Sequence, residues 1–177
     1  MTNGVILKIV RLLSLLTGGA FAGFLVTVLV VESTLRSFDA TGYIEVRQVE
    51  LAHLDDLASA TLIPTLIGAA ILVAFAARTR GRAFWLTLTA VLLLVVVLAT
   101  SLLVNVPINH DQLTWNVQAP PADWASVRDR WQIAHAVRTV GALLAFGCLS
   151  VAAIGAPATA RRHMRSADRQ VPTSLRV

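Results

Sequence analysis

Four long runs of apolar residues alternate with polar segments along this 177-residue chain. The uncharged runs are, in order, 12–31, 57–77, 83–104 and 139–160. A run of about 20 apolar residues can cross the ~30 Å hydrocarbon core of a bilayer as a helix. Because a spanning segment must satisfy its own backbone hydrogen bonds, and these runs lack strand-like alternation, we expect four α-helices. The predicted spans are about 9–31, 57–77, 83–104 and 133–157.

The connections between these runs complete the predicted fold. The basic turn at 78–82 is short, so the helices on either side of it should be antiparallel neighbours. Residues 1–160 are therefore predicted to form an all-α, integral membrane four-helix bundle. Residues 161–177 are polar and basic, and we expect them to be a disordered cytoplasmic tail.

Individual helices carry further signals. Segment 43–56 is polar but keeps a helical period, so the second helix should extend beyond the bilayer on the outer side. The third run leads into Asn105-Val106-Pro107-Ile108-Asn109, where Pro107 is expected to end the helix and to hold Val106 in extended geometry. Asp123 is a residue type favoured at helix N-termini, and we expect it to cap the fourth helix.

Composition excludes an ordinary soluble domain. The chain is 56% hydrophobic and 14% charged, with a mean hydropathy of +0.71. Lys8 and Arg11 precede the first apolar run, as in a signal peptide, but the run continues to Val31, so we interpret it as a retained helix. The pattern predicts a multi-pass protein of the cell membrane.

The distribution of charge predicts the orientation. Ten of the 15 basic residues fall on one side of the predicted spans, and nine of the ten acidic residues fall on the other. The positive-inside rule makes the basic side cytoplasmic, so both termini are expected there. The net charge of +5 is then mostly a topology signal, and nucleic-acid binding is not predicted.

One helical stripe carries the candidate chemistry. Trp124, Arg128, Trp131, His135 and Arg138 occur at i, i+4, i+7, i+11 and i+14, so they share one face of a helix that enters the bilayer. Ionisable residues inside a membrane are costly and usually face a bundle interior or a wet cavity. We therefore expect this stripe to face a functional site.

Polar residues from the other helices are expected at a similar depth. The first helix ends at Glu32, and the third helix contributes Asn105 and Asn109. The outer part of the second helix carries Glu50 and His53 on the same face as Arg47 and Tyr43. These groups predict a shared polar site at the outer end of the bundle.

Two kinds of chemistry fit these residues, besides a purely structural network of salt bridges and hydrogen bonds. Without a metal, His135 could act as a base while Arg138, Arg128 and the asparagines stabilise an oxyanion, and Trp124 and Trp131 stack on a flat aromatic substrate. Alternatively, His53 and His135, with Glu50 or Glu32, could hold one metal ion. Glu50 and His53 have the ExxH spacing of di-iron sites, but those sites need a second copy.

Two small features concern packing. Gly19 and Gly23 form a GxxxG motif, which lets another helix approach closely, either from this chain or from a second copy in a homo-oligomer. Cys148 is the single cysteine and lies within the fourth apolar run, so neither a disulfide nor a CxxC metal or redox pair is expected.

The combination Asn105-Val106-Pro107-Ile108-Asn109, Trp124, Arg130-Trp131 and Arg138-Thr139 resembles the anthrone oxygenase-like family of small four-span membrane proteins. The resemblance covers nearly the whole chain up to about Ala160. It implies a compact bundle and, in the fungal polyketide branch, oxidation of an anthrone to an anthraquinone by molecular oxygen. The matched positions are Asn105, Asn109, Trp124, Trp131 and Arg138. His135 is not a matched position, and its candidate role as a base comes from its chemistry alone.

Three functions are consistent with these observations. The first is an oxygenase or oxidase that acts on a hydrophobic phenolic or polyketide-type aromatic entering from the bilayer. It would place His135, Arg138 and Asn109 in catalysis, with molecular oxygen as co-substrate and no other cofactor predicted. The second is a non-catalytic membrane subunit or scaffold that binds lipid, quinone or a partner helix. The third is a mononuclear metal-dependent enzyme.

Overall fold

The structure is a computed structural model that describes residues 2–155, except for the side chains at positions 2, 3, 53 and 55. Its helices are α1 (Thr2–Leu35), α2 (Ala40–Ala76), α3 (Arg82–Thr100), α4 (Val106–Leu113) and α5 (Trp124–Ile154), and a π-helical turn, Ser101–Asn105, joins α3 to α4. Four apolar helices are long enough to cross a membrane. The predicted all-α membrane bundle is confirmed, whereas the orientation of the termini and the domain bounds stay predictions. The predicted tail at 161–177 lies outside the described residues.

The four long helices pack in the cyclic order α1, α2, α3, α5. Helix α1 packs against α2 and α5, and α3 packs against the same two helices from the opposite side. Apolar side chains such as Leu103, Ile133 and Val140 are more than half exposed on the outside. Exposed apolar side chains are expected in a bundle whose outer surface faces lipid. The core is filled by Phe21, Leu25 and Leu94, all nearly inaccessible.

Helices α1 and α2 approach closely where their side chains are small. A methyl group at Gly68 would overlap the Ser14 hydroxyl, and one at Gly18 would lie 3.1 Å from Thr65 Cγ2. The hydroxyl oxygens of Thr65 and Thr17 are 2.8 Å apart in the same interface. In the predicted GxxxG motif, Gly19 contacts Phe146 of α5, whereas Gly23 has open space around its Cα. Homo-oligomer formation through Gly19 and Gly23 stays a prediction.

The second helix begins at Ala40, where Asp39 Oδ1 accepts a hydrogen bond from the Gly42 N–H at 2.9 Å. Because this cap precedes a continuous helix of 37 residues, the predicted outer extension of the second helix is part of α2. Its first turns pack against α4, and Gln48 Nε2 donates to the Trp115 carbonyl at 2.9 Å. This contact fixes the loop after α4 against the outer end of α2.

The end of the third helix differs from the prediction. Pro107 does not end the helix, because the π turn continues directly into α4, where Pro107 lies in the first turn. A proline is tolerated in the first turn of a helix, where no intrahelical hydrogen bond needs its N–H. The π turn before it adds one residue, which changes the backbone hydrogen bonds next to the missing N–H. Val106 has helical angles, φ −64° and ψ −47°, rather than extended ones. Asp123 precedes α5 as predicted, but its side chain makes no capping hydrogen bond.

The π turn also decides which face of α4 is buried. The buried positions of α3 follow a helical stripe through Thr87, Ala90, Leu94 and Val97, and the stripe reaches Ser101 in the π turn. A regular helix would carry it on to 104, 108 and 111. Because the π turn inserts one residue, the stripe moves to Asn105, Asn109 and Gln112, which are all buried, and Ile108 beside them is buried as well. Three amide side chains therefore enter the bundle interior.

Candidate active site

Arg47 lies at the centre of a buried polar cluster at the end of the bundle where α1 ends and α2 begins, which the charge pattern predicts to be the outer end. All three of its guanidinium nitrogens are engaged. Its Nε donates to Gln112 Oε1 at 2.9 Å, its Nη2 donates to Asn109 Oδ1 at 2.9 Å, and its Nη1 donates to Glu50 Oε2 at 3.1 Å. The same Nη1 lies 3.1 Å from Glu32 Oε1. Only 3% of the Arg47 side chain is exposed, so one cation joins α1, α2 and α4.

Two carboxylates share this cation. Glu32 is 1% exposed, and its Oε2 accepts a hydrogen bond from Gln132 Nε2 of α5 at 3.0 Å. Glu50 is 13% exposed. Burial raises the pKa of the Glu50 carboxyl, the nearby Arg47 charge lowers it, and the Glu32 carboxylate raises it again, so its pKa lies above the ordinary value. Glu50 therefore retains a proton more readily than an exposed glutamate.

Trp131 connects the cluster to His135. Its Nε1–H donates to Asn109 Oδ1 at 2.6 Å, and the Arg47 guanidinium carbon lies 3.8 Å from the centre of its ring. The imidazole of His135 stacks on Trp131, with ring centres 4.8 Å apart and planes 7° from parallel. A cation over an indole is favourable, and more so when water is excluded. Trp131 is therefore held in one orientation by α2, α4 and its own helix.

The hydrogen bonding of His135 indicates which ring nitrogen carries the proton. Its Nε2 lies 2.9 Å from the Leu25 carbonyl oxygen, which can only accept, so Nε2 carries a hydrogen. The other nitrogen, Nδ1, is buried and has no hydrogen-bond partner among the described side chains. In the neutral imidazole Nδ1 is then the proton acceptor. His135 thus combines a fixed tautomer with an unused basic nitrogen.

A small cavity of about 30 Å³ lies beside these groups. Its polar lining comes from Arg47, Glu50, Asn109, His135 and Arg138, and Trp131 forms part of its wall. A single water needs roughly 10–15 Å³ of such space, so the cavity has room for about one or two waters. It can hold a water or a diatomic molecule, but not an aromatic ring system.

The structure separates the predicted site residues into two groups. The first group lines the cavity and consists of His135, Arg138, Asn109, Trp131 and Glu50. Glu32 does not line the cavity, but it pairs with Arg47, which does.

The remaining predicted residues lie elsewhere. Arg128 lies nearer the outer end of α5, with its guanidinium carbon 4.9 Å from the Trp124 ring centre and its Nε 3.0 Å from Asp129 Oδ1. Asn105 does not line the cavity, and its Nδ2 donates to the backbone carbonyl of Trp131 at 3.2 Å. The His53 side chain lies outside the described residues.

The predicted alternative of a metal site has limited support in the described residues. Within residues 2–155, excluding the undescribed side chains, no group of three or more His, Cys, Asp or Glu residues is arranged to hold a metal ion. Of the proposed ligands, Glu50 is paired with Arg47, and His135 uses Nε2 on the Leu25 carbonyl. The metal content of the protein stays untested.

Sequence reasoning missed two members of the cluster and the central position of a third. Gln112 continues the stripe of Asn105 and Asn109 at i+7, so its spacing could have identified it. Gln132 follows Arg128 by four residues and precedes His135 by three, which is the same kind of signal. Arg47 was expected only as one polar group among several, and its spacing alone could not indicate its partners on three other helices.

A family model described as anthrone oxygenase matches residues 51–148, which is more than half of the chain. The matched stretch contains Asn109, Trp131, His135 and Arg138, whereas Glu32, Arg47 and Glu50 precede it. Neither the comparison with curated proteins nor the comparison with solved structures finds a match.

Proposed function

The chain belongs to the anthrone oxygenase family, and on that premise we propose that it is a membrane oxygenase that oxidises a hydrophobic phenolic or polyketide-type aromatic with molecular oxygen. The observation that carries this proposal is the cavity bordered by His135, Arg138, Arg47 and Glu50. Oxidation of an acidic C–H or O–H group needs a base that removes the proton and positive charge that stabilises the anion. Both lie beside this space for a small molecule.

The proposed reaction converts a methylene group flanked by aromatic rings into a carbonyl. His135 Nδ1 accepts one proton from the methylene carbon, and the negative charge spreads to the substrate oxygen. The carbanion bonds dioxygen, and the protonated His135 returns its proton to the peroxide anion that results. The hydroperoxide then loses the second hydrogen of that carbon together with hydroxide as water. One methylene and one dioxygen thus give one carbonyl and one water. Arg47 and Arg138 border the cavity, which has room for dioxygen, and they stabilise the negative charge that develops on the peroxide oxygens.

Glu50 is proposed to hold the proton between its removal from the substrate and its return to the peroxide. It lines the cavity and is the most exposed member of the Arg47 cluster, so a proton taken by His135 can reach it through a water in the cavity. Its raised pKa suits it to hold that proton for a time and then release it.

The test is turnover of anthrone by the purified protein in lipid nanodiscs, measured as quinone absorbance together with oxygen uptake. Protein-free nanodiscs give the spontaneous rate, which is subtracted. We expect His135→Gln to lower the remaining rate by about 10²–10⁴-fold, the usual contribution of a general base. The matched control is His110→Gln, since His110 is exposed and lies away from the cavity. Equal rates in wild type and His135→Gln contradict the proposed role.

A second candidate function is a non-catalytic subunit or scaffold, and one specific observation favours it. The Arg47 guanidinium already has protein partners on every nitrogen, and the cavity beside it has room for only about one or two waters. Such a network can hold the outer ends of four helices together without binding a substrate. Absence of anthrone-dependent oxygen uptake at every protein concentration would favour this function over the first.

A further inference from the structure

The cavity beside His135 is too small for an aromatic substrate, but a second space meets the same residue from outside the bundle. A groove of about 210 Å³ runs between α1 and α5 on the lipid-facing side, and His135 borders this groove as well as the inner cavity. His135 therefore borders two spaces, one sized for a small molecule and the other several times larger.

The walls of the groove differ in polarity. Leu29, Ile133 and Ala136 line it on the apolar side, and Ile133 is 67% exposed where the groove opens toward lipid. The rest of the lining is polar and consists of Glu32, Ser33, Arg36 and Gln132. Gln132 Nε2 donates to both the backbone oxygen of Glu32 at 2.9 Å and its Oε2 at 3.0 Å, so this pair joins α1 to α5 at the groove. A flat apolar molecule with one polar edge matches such a surface.

We propose that the groove between α1 and α5 is the binding site for the aromatic substrate, which enters it laterally from the bilayer, while the inner cavity takes the small co-substrate. This inference rests on the proposed function for the identity of the ligand. The rings lie against Leu29, Ile133 and Ala136, and the acidic C–H or O–H edge faces His135. A substrate partitioned into lipid then never needs to cross the polar outer end of the bundle.

The observations that point to this ligand are independent of activity. His135 is 1% exposed, yet its Nδ1 has no hydrogen-bond partner among the described side chains. An unpaired buried acceptor costs free energy, and such sites in native proteins usually have a functional cause. Of the two spaces that meet His135, only the groove has the size and the apolar walls that a ring system needs.

The experiment uses benzophenone, a diaryl ketone that is photoreactive and lacks the oxidisable methylene group of anthrone. Wild-type protein in nanodiscs is irradiated with benzophenone, and the labelled peptides are mapped by mass spectrometry, with and without excess anthrone. We expect anthrone-sensitive labels around Leu29 in α1 and around Ile133 in α5. Labels that map elsewhere, or that excess anthrone does not reduce, would overturn the proposal.

Ala136→Phe fills the groove, and Ala60→Phe makes the same change at an exposed position of α2 away from the groove. Ala136→Phe is expected to weaken anthrone-sensitive labelling by about ten-fold or more, which corresponds to about 1.4 kcal/mol of binding, and Ala60→Phe is expected to leave it unchanged. Equal labelling in the two variants refutes the site. Should Ala136→Phe fail to reach the membrane, Ile133→Ala carries the same test, with weaker labelling as the expected result.

The two proposals fail in different ways. If labelling maps to the groove and Ala136→Phe reduces it, but wild type does not oxidise anthrone, the binding site stands and the oxygenase function falls. If wild type oxidises anthrone and Ala136→Phe raises KM no more than Ala60→Phe does, the function stands and the groove is not the substrate site.

Discussion

Replacing Arg47 by methionine tests whether the buried cluster is held by charge. The substitution keeps a long apolar side chain but removes the cation that lies 3.1 Å from both Glu32 and Glu50. Glu32 is 1% exposed, so its carboxylate is left buried without the Arg47 charge. Breaking a buried pair by removing one partner costs about 3–5 kcal/mol. The unmet hydrogen bonds of Gln112 and Asn109 act in the same direction, although such effects do not add simply.

The assay is thermal unfolding in mild detergent, followed by tryptophan fluorescence. For a chain of this size each kcal/mol shifts Tm by roughly 2–4 °C, so Arg47→Met is expected to lower Tm by about 6–20 °C. The control is Arg36→Met, which removes an ion pair to Asp129 at 3.4 Å whose side chains are 55% and 43% exposed. An exposed pair contributes about 0–1 kcal/mol, so this control should move Tm by about 4 °C or less.

A double variant decides whether charge is the cause. Combining Arg47→Met with Glu32→Gln leaves no unpaired charge at position 32, and most of the lost stability should return. If Arg47→Met lowers Tm no more than Arg36→Met does, the cluster does not depend on buried charge. If the double variant is no more stable than Arg47→Met alone, the hydrogen bonds rather than the ion pair hold the site.

Three further outcomes are expected. Gly68→Ala should destabilise the protein by about 1–3 kcal/mol, because the new methyl group overlaps the Ser14 hydroxyl. Gly23 has open space around it, so Gly23→Ala should leave Tm nearly unchanged, and equal shifts in Tm would refute the close approach of α1 and α2. The pKa of Glu50 is raised in the folded state, so its contribution to stability is present below its unfolded pKa and is lost as the pH rises through its folded pKa. The Tm of Glu50→Gln relative to that of wild type should therefore increase from pH 4 to pH 8. A decrease would contradict this sign. Elemental analysis of detergent-purified protein should find no stoichiometric metal, and one metal per chain would replace the proposed mechanism with a metal-dependent one.

The site lies where the bundle changes from a lipid-facing to a polar exterior. A buried arginine needs partners, and Arg47 has them on α1 and α4 as well as on its own helix, α2. The contacts with Glu32 and Asn109 also tie α2 to α1 and to α4. Stability and proposed catalysis thus use the same residues, so variants of the cluster need a folding control before a loss of activity is interpreted.

Much of the fold is determined by the sequence alone, because membrane crossing is a local property. Four apolar runs of sufficient length are enough to predict four helices, and the polar but periodic outer part of α2 predicts its extension. The stripe through Trp131, His135 and Arg138 follows from the 3.6-residue period, and all three side chains are buried on the inner face of α5. These inferences need no knowledge of which helix lies opposite.

Only the tertiary structure decided how the polar groups meet. The π turn shifts the buried stripe of α4 by one residue, and local propensity gave no sign of it, since Pro107 predicted a helix end instead. Arg47 lies 62 and 65 residues along the chain from its partners Asn109 and Gln112. Gln132 lies 100 residues from its partner Glu32. Hydropathy and helical period report which face of a helix is buried, but a hydrogen bond between helices depends on their order and depth in the bundle, and packing of the whole chain sets both.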